Sequence, residues 1–334
     1  MRRSPLLIRV LAFSASLAIL LALIHFAGFE NFYQIMLNAS PLWLAAAVAI
    51  YAASWIFRTF RLGTLSKEAG ANIGVWELFK LQISGYALNV ILPAKLGDAA
   101  TVCYLTMRGI GIGMSTAIVV QCRVLDVLAL ILLSLSSLAL LFRKSPPEWI
   151  WMTIIGSLLI VSLCLGVVLL DRKMSLLHLS GRYLEPHMEN GYLRSFSEKA
   201  RDAYVGYRDI ASNKLLFATG ISLSLFIWLL DCLACYMVSL AVGAQVSLLA
   251  VILAVSLGNM GKSAPATPGS IGIYESILAA ALAFFGMPID LAVSIAILDH
   301  ALKNIFTLAL GIPATTEQSL DLYELVRRGE VKEC

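Results

Sequence analysis

Charged side chains are scarce in this sequence: Asp, Glu, Lys and Arg make up 14% of its 334 residues, against about 25% in an ordinary soluble domain. The formal net charge is only +4, and without a long basic tail or a recognisable binding motif no nucleic-acid partner is expected. H-E-x-x-H, G-x-S-x-G, Walker A and paired-cysteine metal spacings are all missing, so neither enzymatic activity nor a cofactor is expected. No disulfide framework is visible either. Cys103, Cys122, Cys164, Cys232 and Cys235 fall in apolar stretches, and Cys334 sits in the polar tail. The C-x-x-C formed by Cys232 and Cys235 lies inside an apolar run, where small buried residues are the expected use.

What the sequence has in excess is hydrophobic side chains, at 59%. Runs of about 20 mainly apolar residues cross a bilayer as helices, and they occur at roughly 6–28, 41–60, 115–142, 149–170, 215–241 and 289–312. Six spans of an integral membrane protein are expected. The first follows Arg2 and Arg3, is too long for a signal-peptide core and is closed by no A-x-A-like site, so it reads as a retained anchor.

Two further apolar regions interrupt themselves. "GYALNVILPAKLGDAATVCYL" carries Pro93 and Gly97, "SAPATPGSIGIYE" carries Pro268, Gly269 and Gly272, and an acidic residue follows in each, Asp98 and Glu275. Proline removes a backbone donor and glycine admits unusual dihedrals, so each motif should break a helix at membrane depth. Irregular backbone is tolerated there only inside protein or beside a wet cavity. Both motifs therefore read as tips of helical hairpins, re-entrant or fully spanning.

A charged helix follows each proline by about 30 residues. The first holds Arg123 and Asp126, the second Asp299, His300 and Lys303. Each half thus runs span, span, hairpin, charged span, over roughly 5–142 and 149–312. The expected fold is a single all-α transmembrane bundle of six spanning helices and two broken hairpins, arranged as an inverted repeat.

Lys and Arg favour cytoplasmic loops. Arg2 and Arg3 put the N-terminus inside, Arg61 and Lys67 do the same for 61–74, and eight basic residues do so for the polar insertion 171–214. Arg143 and Lys144 violate the scheme locally, while the tail 315–334, with Arg327 and Arg328, ends inside. The two hairpins then enter from opposite sides, a common transporter construction. The insertion reads as an amphipathic helix on the headgroups or as a solvated linker, and the tail as a short surface helix with a frayed end.

Charges within spans usually face a bundle interior or a water-filled path. Arg123 with Asp126, and Asp299 with Lys303, share helix faces at spacings of three and four. They either lock helices together or line a cavity beside the hairpin tips. In a cavity, Lys95, Arg123, Lys262, His300 and Lys303 would hold an anionic headgroup, phosphate being the natural ligand, with Asp98, Asp126, Glu275 and Asp299 organising the cations. Asn89 and Asn259 would add neutral hydrogen-bonding groups or cap the broken helices. Glu275 either caps the second break or carries a proton or binds a cation during transport. Asp231 has no partner on its own helix and requires one from another, and His25 reads as interfacial.

"NVILPAKLGDA" with "RVLD", and "PATPGSIGIYESILAAAL" with "LDHALKNIF", resemble the flippase-like membrane proteins related to the transmembrane region of lysylphosphatidylglycerol synthase. The resemblance covers nearly the whole chain. Its most specific piece is Pro268, Gly269, Gly272 and Glu275; Ser270 stands where that family often has glycine, and Asp98 where glutamate is frequent. Bifunctional synthases continue into a soluble aminoacyl-transferase domain, so only lipid movement, not lysyl transfer, is implied here. The resemblance implies a multi-pass protein of the cytoplasmic (inner) membrane, both termini inside. It would translocate a phosphate-containing or isoprenoid-linked membrane lipid by alternating exposure of a midplane polar site. The alternative is a non-catalytic scaffold or accessory subunit partnering lipid-modifying enzymes such as glycosyltransferases, and an intramembrane enzyme is a third class.

Overall fold

The computed structural model describes residues 5–92, 95–141, 148–159, 191–262 and 268–328, and among these every regular element is helical. In order they are α1 (Pro5–Ala27), α2 (Phe29–Asn38), α3 (Pro41–Glu68), α4 (Val75–Ile91), α5 (Leu96–Met107) and α6 (Ile112–Leu141). Then come α7 (Glu148–Leu159), α8 (Gly191–Ser212), α9 (Lys214–Ala241), α10 (Leu248–Gly261), a 3-10 turn (Pro268–Ser270), α11 (Ile273–Phe284) and α12 (Ile289–Arg328).

Among the described residues, α3, α6, α9 and α12 are long and apolar enough to cross a membrane. Helices α1 and α2 meet at 89° and make a fifth span if taken together. The bend falls at Gly28, whose φ of 80° lies in the left-handed region where a side chain is strained. Among the described residues four spans, or five with the bent pair, are therefore present rather than six. The run at 149–170 is represented by α7, and its last eleven residues, 160–170, lie outside the described residues, as do Arg143, Lys144 and 171–190.

Three other expectations change. Residues 29–38, between the spans expected at 6–28 and 41–60, form a helix of their own, α2. Residues 61–68, read as the start of a cytoplasmic loop, continue α3, and Arg61 is wholly buried. The tail helix is continuous with the last span: α12 runs 40 residues through Pro313. Ring closure at proline removes a single ladder donor, and packed neighbours can sustain the helix past it.

Helix α8 is neither a free linker nor a strip laid only on headgroups. Gly113 of α6 fits so tightly that a Cβ there would come within 2.6 Å of Asp202, and Tyr207 and Ile210 are buried.

Helices α3 and α9 pack antiparallel. Ser40 N–H donates to the Ala241 carbonyl (2.8 Å) at one end, and Asn213 donates to Glu68 (3.1 Å) at the other. The Asn213 end also gathers Lys80 paired with Glu317 and Arg108 paired with Glu77 (2.5 Å). At the opposite end Asn31 of α2 reaches Asp290 of α12 at 3.5 Å.

Between these ends sit two helical hairpins, α4 with α5 and α10 with α11. Helices α5, α10 and α11 have 12, 14 and 12 residues, about 18–21 Å at 1.5 Å per residue, short of the roughly 30 Å hydrocarbon thickness. Each hairpin closes on glycine. A Cβ at Gly97 would stand 1.9 Å from the Gly85 carbonyl oxygen, and one at Gly258 would stand 2.9 Å from the Tyr274 ring. The tips touch, since a Cβ on Gly269 would come within 3.1 Å of the Val90 carbonyl oxygen.

Candidate functional site: a charged cavity at the hairpin tips

Both tips are built from strained backbone. Lys95, ahead of α5, has φ 55°, and Ser270, beside Gly269, has φ 57°. These are left-handed values that non-glycine residues seldom adopt outside functional sites. Pro93 lies outside the described residues, whereas Pro268 is buried and opens the 3-10 turn.

Around the tips lies a cavity of about 800 Å³. Ten of the residues proposed from sequence as site residues line it, namely Asn89, Lys95, Asp98, Arg123, Asp126, Asn259, Lys262, Gly269, His300 and Lys303. Gly97, Pro268, Gly272, Glu275 and Asp299 stand behind this wall and hold it in place.

Ion pairs stitch the wall together. Arg123 on α6 reaches back to Asp98 on α5, with Nε 3.0 Å from Oδ2 and a second guanidinium nitrogen on Oδ1, and Asn89 Nδ2 donates to the same carboxylate (2.8 Å). Asn89 therefore organises Asp98 rather than capping a helix, and Asn259 Nδ2 donates to the Val255 carbonyl in its own helix (2.9 Å). In the second hairpin Glu275 does two things at once. Its Oε2 accepts the Gly272 N–H (2.8 Å), capping α11, and its Oε1 lies 2.7 Å from His300 Nδ1. The partners in Asp98–Arg123 and Glu275–His300 are each 25 residues apart.

Asp299 and Lys303 do pair along α12, at 2.8 Å. Tyr274 donates to Asp299 Oδ2 (2.6 Å), and Lys303 also donates to the Asp231 carbonyl (3.1 Å). Arg123 and Asp126 are only marginally paired, at 4.0 Å. Asp126 belongs instead to Arg61 of α3, with Nη1–Oδ1 2.5 Å and Nη2–Oδ2 3.2 Å, and it also accepts from Trp228 Nε1 (3.0 Å). A bidentate guanidinium fork of this kind fixes both partners.

The lone Asp231 finds its partner in Arg58, also on α3, at 3.0 Å. That guanidinium is enclosed by the rings of Trp55, Tyr86 and Trp228, at 5.7, 5.5 and 5.2 Å from their centroids. Arg58 and Arg61 are the residues that sequence reasoning missed. The available signal was their spacing of three in "WIFRTFRLG", which puts both on one helix face. Among the described residues no cluster of three His, Cys, Asp and Glu side chains is placed to hold a metal ion.

Long apolar helices, broken hairpins and a buried ionic wall define a polytopic α-helical membrane protein with a charged internal cavity. The chain belongs to the family described as the lysylphosphatidylglycerol synthase TM region, which it matches over residues 8–311. It is similar to glycosyltransferase AglD of Haloferax volcanii, 26% identical over 322 residues covering 85% of this chain and 50% of that protein. A UPF0104 membrane protein of Methanothermobacter thermautotrophicus is 33% identical over 143 residues, 43% of this chain and 42% of the relative. Another, from Pyrococcus horikoshii, is 24% identical over 312 residues, 88% and 92% of the two chains. The aligned regions thus span about half the length of the first two relatives. No solved structure matches the chain.

Proposed function

We propose that this protein translocates a lipid with a phosphate-containing or isoprenoid-linked headgroup across the cytoplasmic membrane, exposing the hairpin-tip cavity alternately to either side. The observation that carries this reading is the cavity itself, an 800 Å³ space lined by cations at the meeting point of two broken helices. Charges so placed in a membrane protein mark substrate paths. Their donors suit phosphate oxygens.

The reading takes the two halves as an inverted repeat, and the helix contacts are consistent with that. Under the exchange of α3–α6 with α9–α12, the packing pattern maps onto itself: α3 lies on α9, while α4 lies on α12 and α10 on α6. Each hairpin's returning leg also sends its carboxylate to a cation 25 residues on. Two related halves rocking about a central site would expose it first to one face and then to the other.

The charge at the helix ends supports the orientation. The helix end with Lys67, Lys80, Arg108 and Lys214 is basic, whereas residues 28–40, 242–247 and 285–288 at the other contain no Lys or Arg, Arg143 and Lys144 being the local exception. The basic end is assigned to the cytoplasm, with both termini and the 171–214 insertion. With no ATP-binding motif, movement would run downhill or be driven by a gradient.

The test is reconstitution into liposomes containing a fluorescent phospholipid, followed by a membrane-impermeant quencher. Wild type is expected to bring inner-leaflet probe to the quencher faster than protein-free liposomes. Glu275→Gln keeps an acceptor for Gly272 N–H and is expected to stay folded while losing transport. Equal quenching with and without protein, across lipid classes, would remove the translocase reading. An unchanged rate in the variant would leave Glu275 a helix cap.

One finding favours a second reading, an accessory subunit for a lipid-modifying enzyme: the relative AglD is named a glycosyltransferase and is about twice the aligned length. Stoichiometric co-purification with such an enzyme, without transport by the isolated chain, would select it.

A further inference from the structure

The cavity wall carries five cations, Arg58, Lys95, Arg123, Lys262 and Lys303, but only three carboxylates, Asp98, Asp126 and Asp231. Arg58 is matched to Asp231 and Arg123 to Asp98, while Lys303 is matched to Asp299 behind the wall and Asp126 to Arg61. Glu275 is turned away, towards the Gly272 amide and His300. Among the described residues, Lys95 and Lys262 have no carboxylate within ion-pair distance, and they stand on different hairpins. The Lys262 ammonium lies 3.8 Å from the centroid of the Tyr274 ring. That contact holds the charge without neutralising it.

Deepening the translocase reading, on which it rests, we propose that the cavity binds a singly esterified phosphate of a lipid, with its dianionic head bridging Lys95 and Lys262. A phosphomonoester carries about −1.5 to −2 charges at neutral pH, matching the two cations that the protein leaves unmatched. A phosphodiester carries one charge and would leave a half-buried lysine without a counterion, and a zwitterionic head would bring a further cation beside it. Asn89 and Asn259 stand on the same wall as neutral hydrogen-bonding groups. The rest of the wall suits a chain rather than a free anion: Val102 of α5 and Val119, Val120, Val127 and Leu130 of α6 line the same cavity.

The experiment is titration calorimetry of the full chain in uncharged detergent against four probes: a C15 isoprenyl monophosphate, phosphatidic acid, phosphatidylglycerol and inorganic phosphate. Both monoester lipids are expected to bind at least about tenfold more tightly than the diester, and inorganic phosphate more weakly still. Lys95→Gln and Lys262→Gln should each weaken monoester binding by about tenfold or more and erase the preference over the diester. Lys95→Arg and Lys262→Arg should retain binding, with thermal midpoints confirming that all variants fold. Diester binding as tight as monoester and equally lysine-dependent would overturn the monoester assignment while leaving the translocase reading intact. Inorganic phosphate bound as tightly as the lipids would overturn the lipid source, and no lysine-dependent binding of any probe would overturn both.

Discussion

At the scale of single residues, Arg61 shows how the ionic wall is held. Its guanidinium is completely buried, and its partners Asp126 and Ser224 come from α6 and α9. Removing one member of such a pair leaves the other as an uncompensated buried charge, which costs about 3–5 kcal/mol. Arg61→Met is therefore expected to lower the thermal midpoint of the detergent-solubilised protein sharply, and adding Asp126→Leu should recover most of the loss. A single variant as stable as wild type would show that the pair contributes nothing. The sequence placed Arg61 in a loop because arginine at the end of an apolar run reads as a cytoplasmic flank. Asp231 was more legible: a carboxylate alone in an apolar helix must find a partner elsewhere, though only the folded chain identifies it as Arg58.

At the scale of elements, the hairpins depend on glycine at the crossing of their legs. A Cβ on Gly97 would lie 1.9 Å from a backbone oxygen of α4, with no flexible side chain to give way. Gly97→Ala is expected to destabilise by about 1–3 kcal/mol, in the range of overpacked cores. Gly74 has φ −61° and nothing within 4 Å of its would-be Cβ, so Gly74→Ala should change stability by less than about 0.5 kcal/mol. Thermal midpoints measured side by side decide it, and equal shifts would mean that the crossing is not tight. The breaks were legible because Pro-x-x-x-Gly inside an apolar run has few other readings. The length of α12 was not, because "PATTEQS" has the look of a terminus, and only packing against α4 carries the helix past Pro313.

At the scale of the whole molecule, alternating exposure requires the two hairpin tips to part. Val90→Cys with Gly269→Cys places thiols where the tips now meet. Cross-linking them is expected to abolish lipid movement reversibly, and a cross-linked protein that still transports would show that the tips need not separate. The sequence alone determined the membrane class, the helical composition and the positions of both breaks. These follow from local physics, since apolar length and loss of backbone hydrogen bonds are properties of contiguous residues. Tertiary structure alone decided which charge answers which. Arg58 meets Asp231 across 173 residues and Arg61 meets Asp126 across 65. Buried cations take whichever carboxylate the packing of helices brings within reach, and no local pattern encodes that choice.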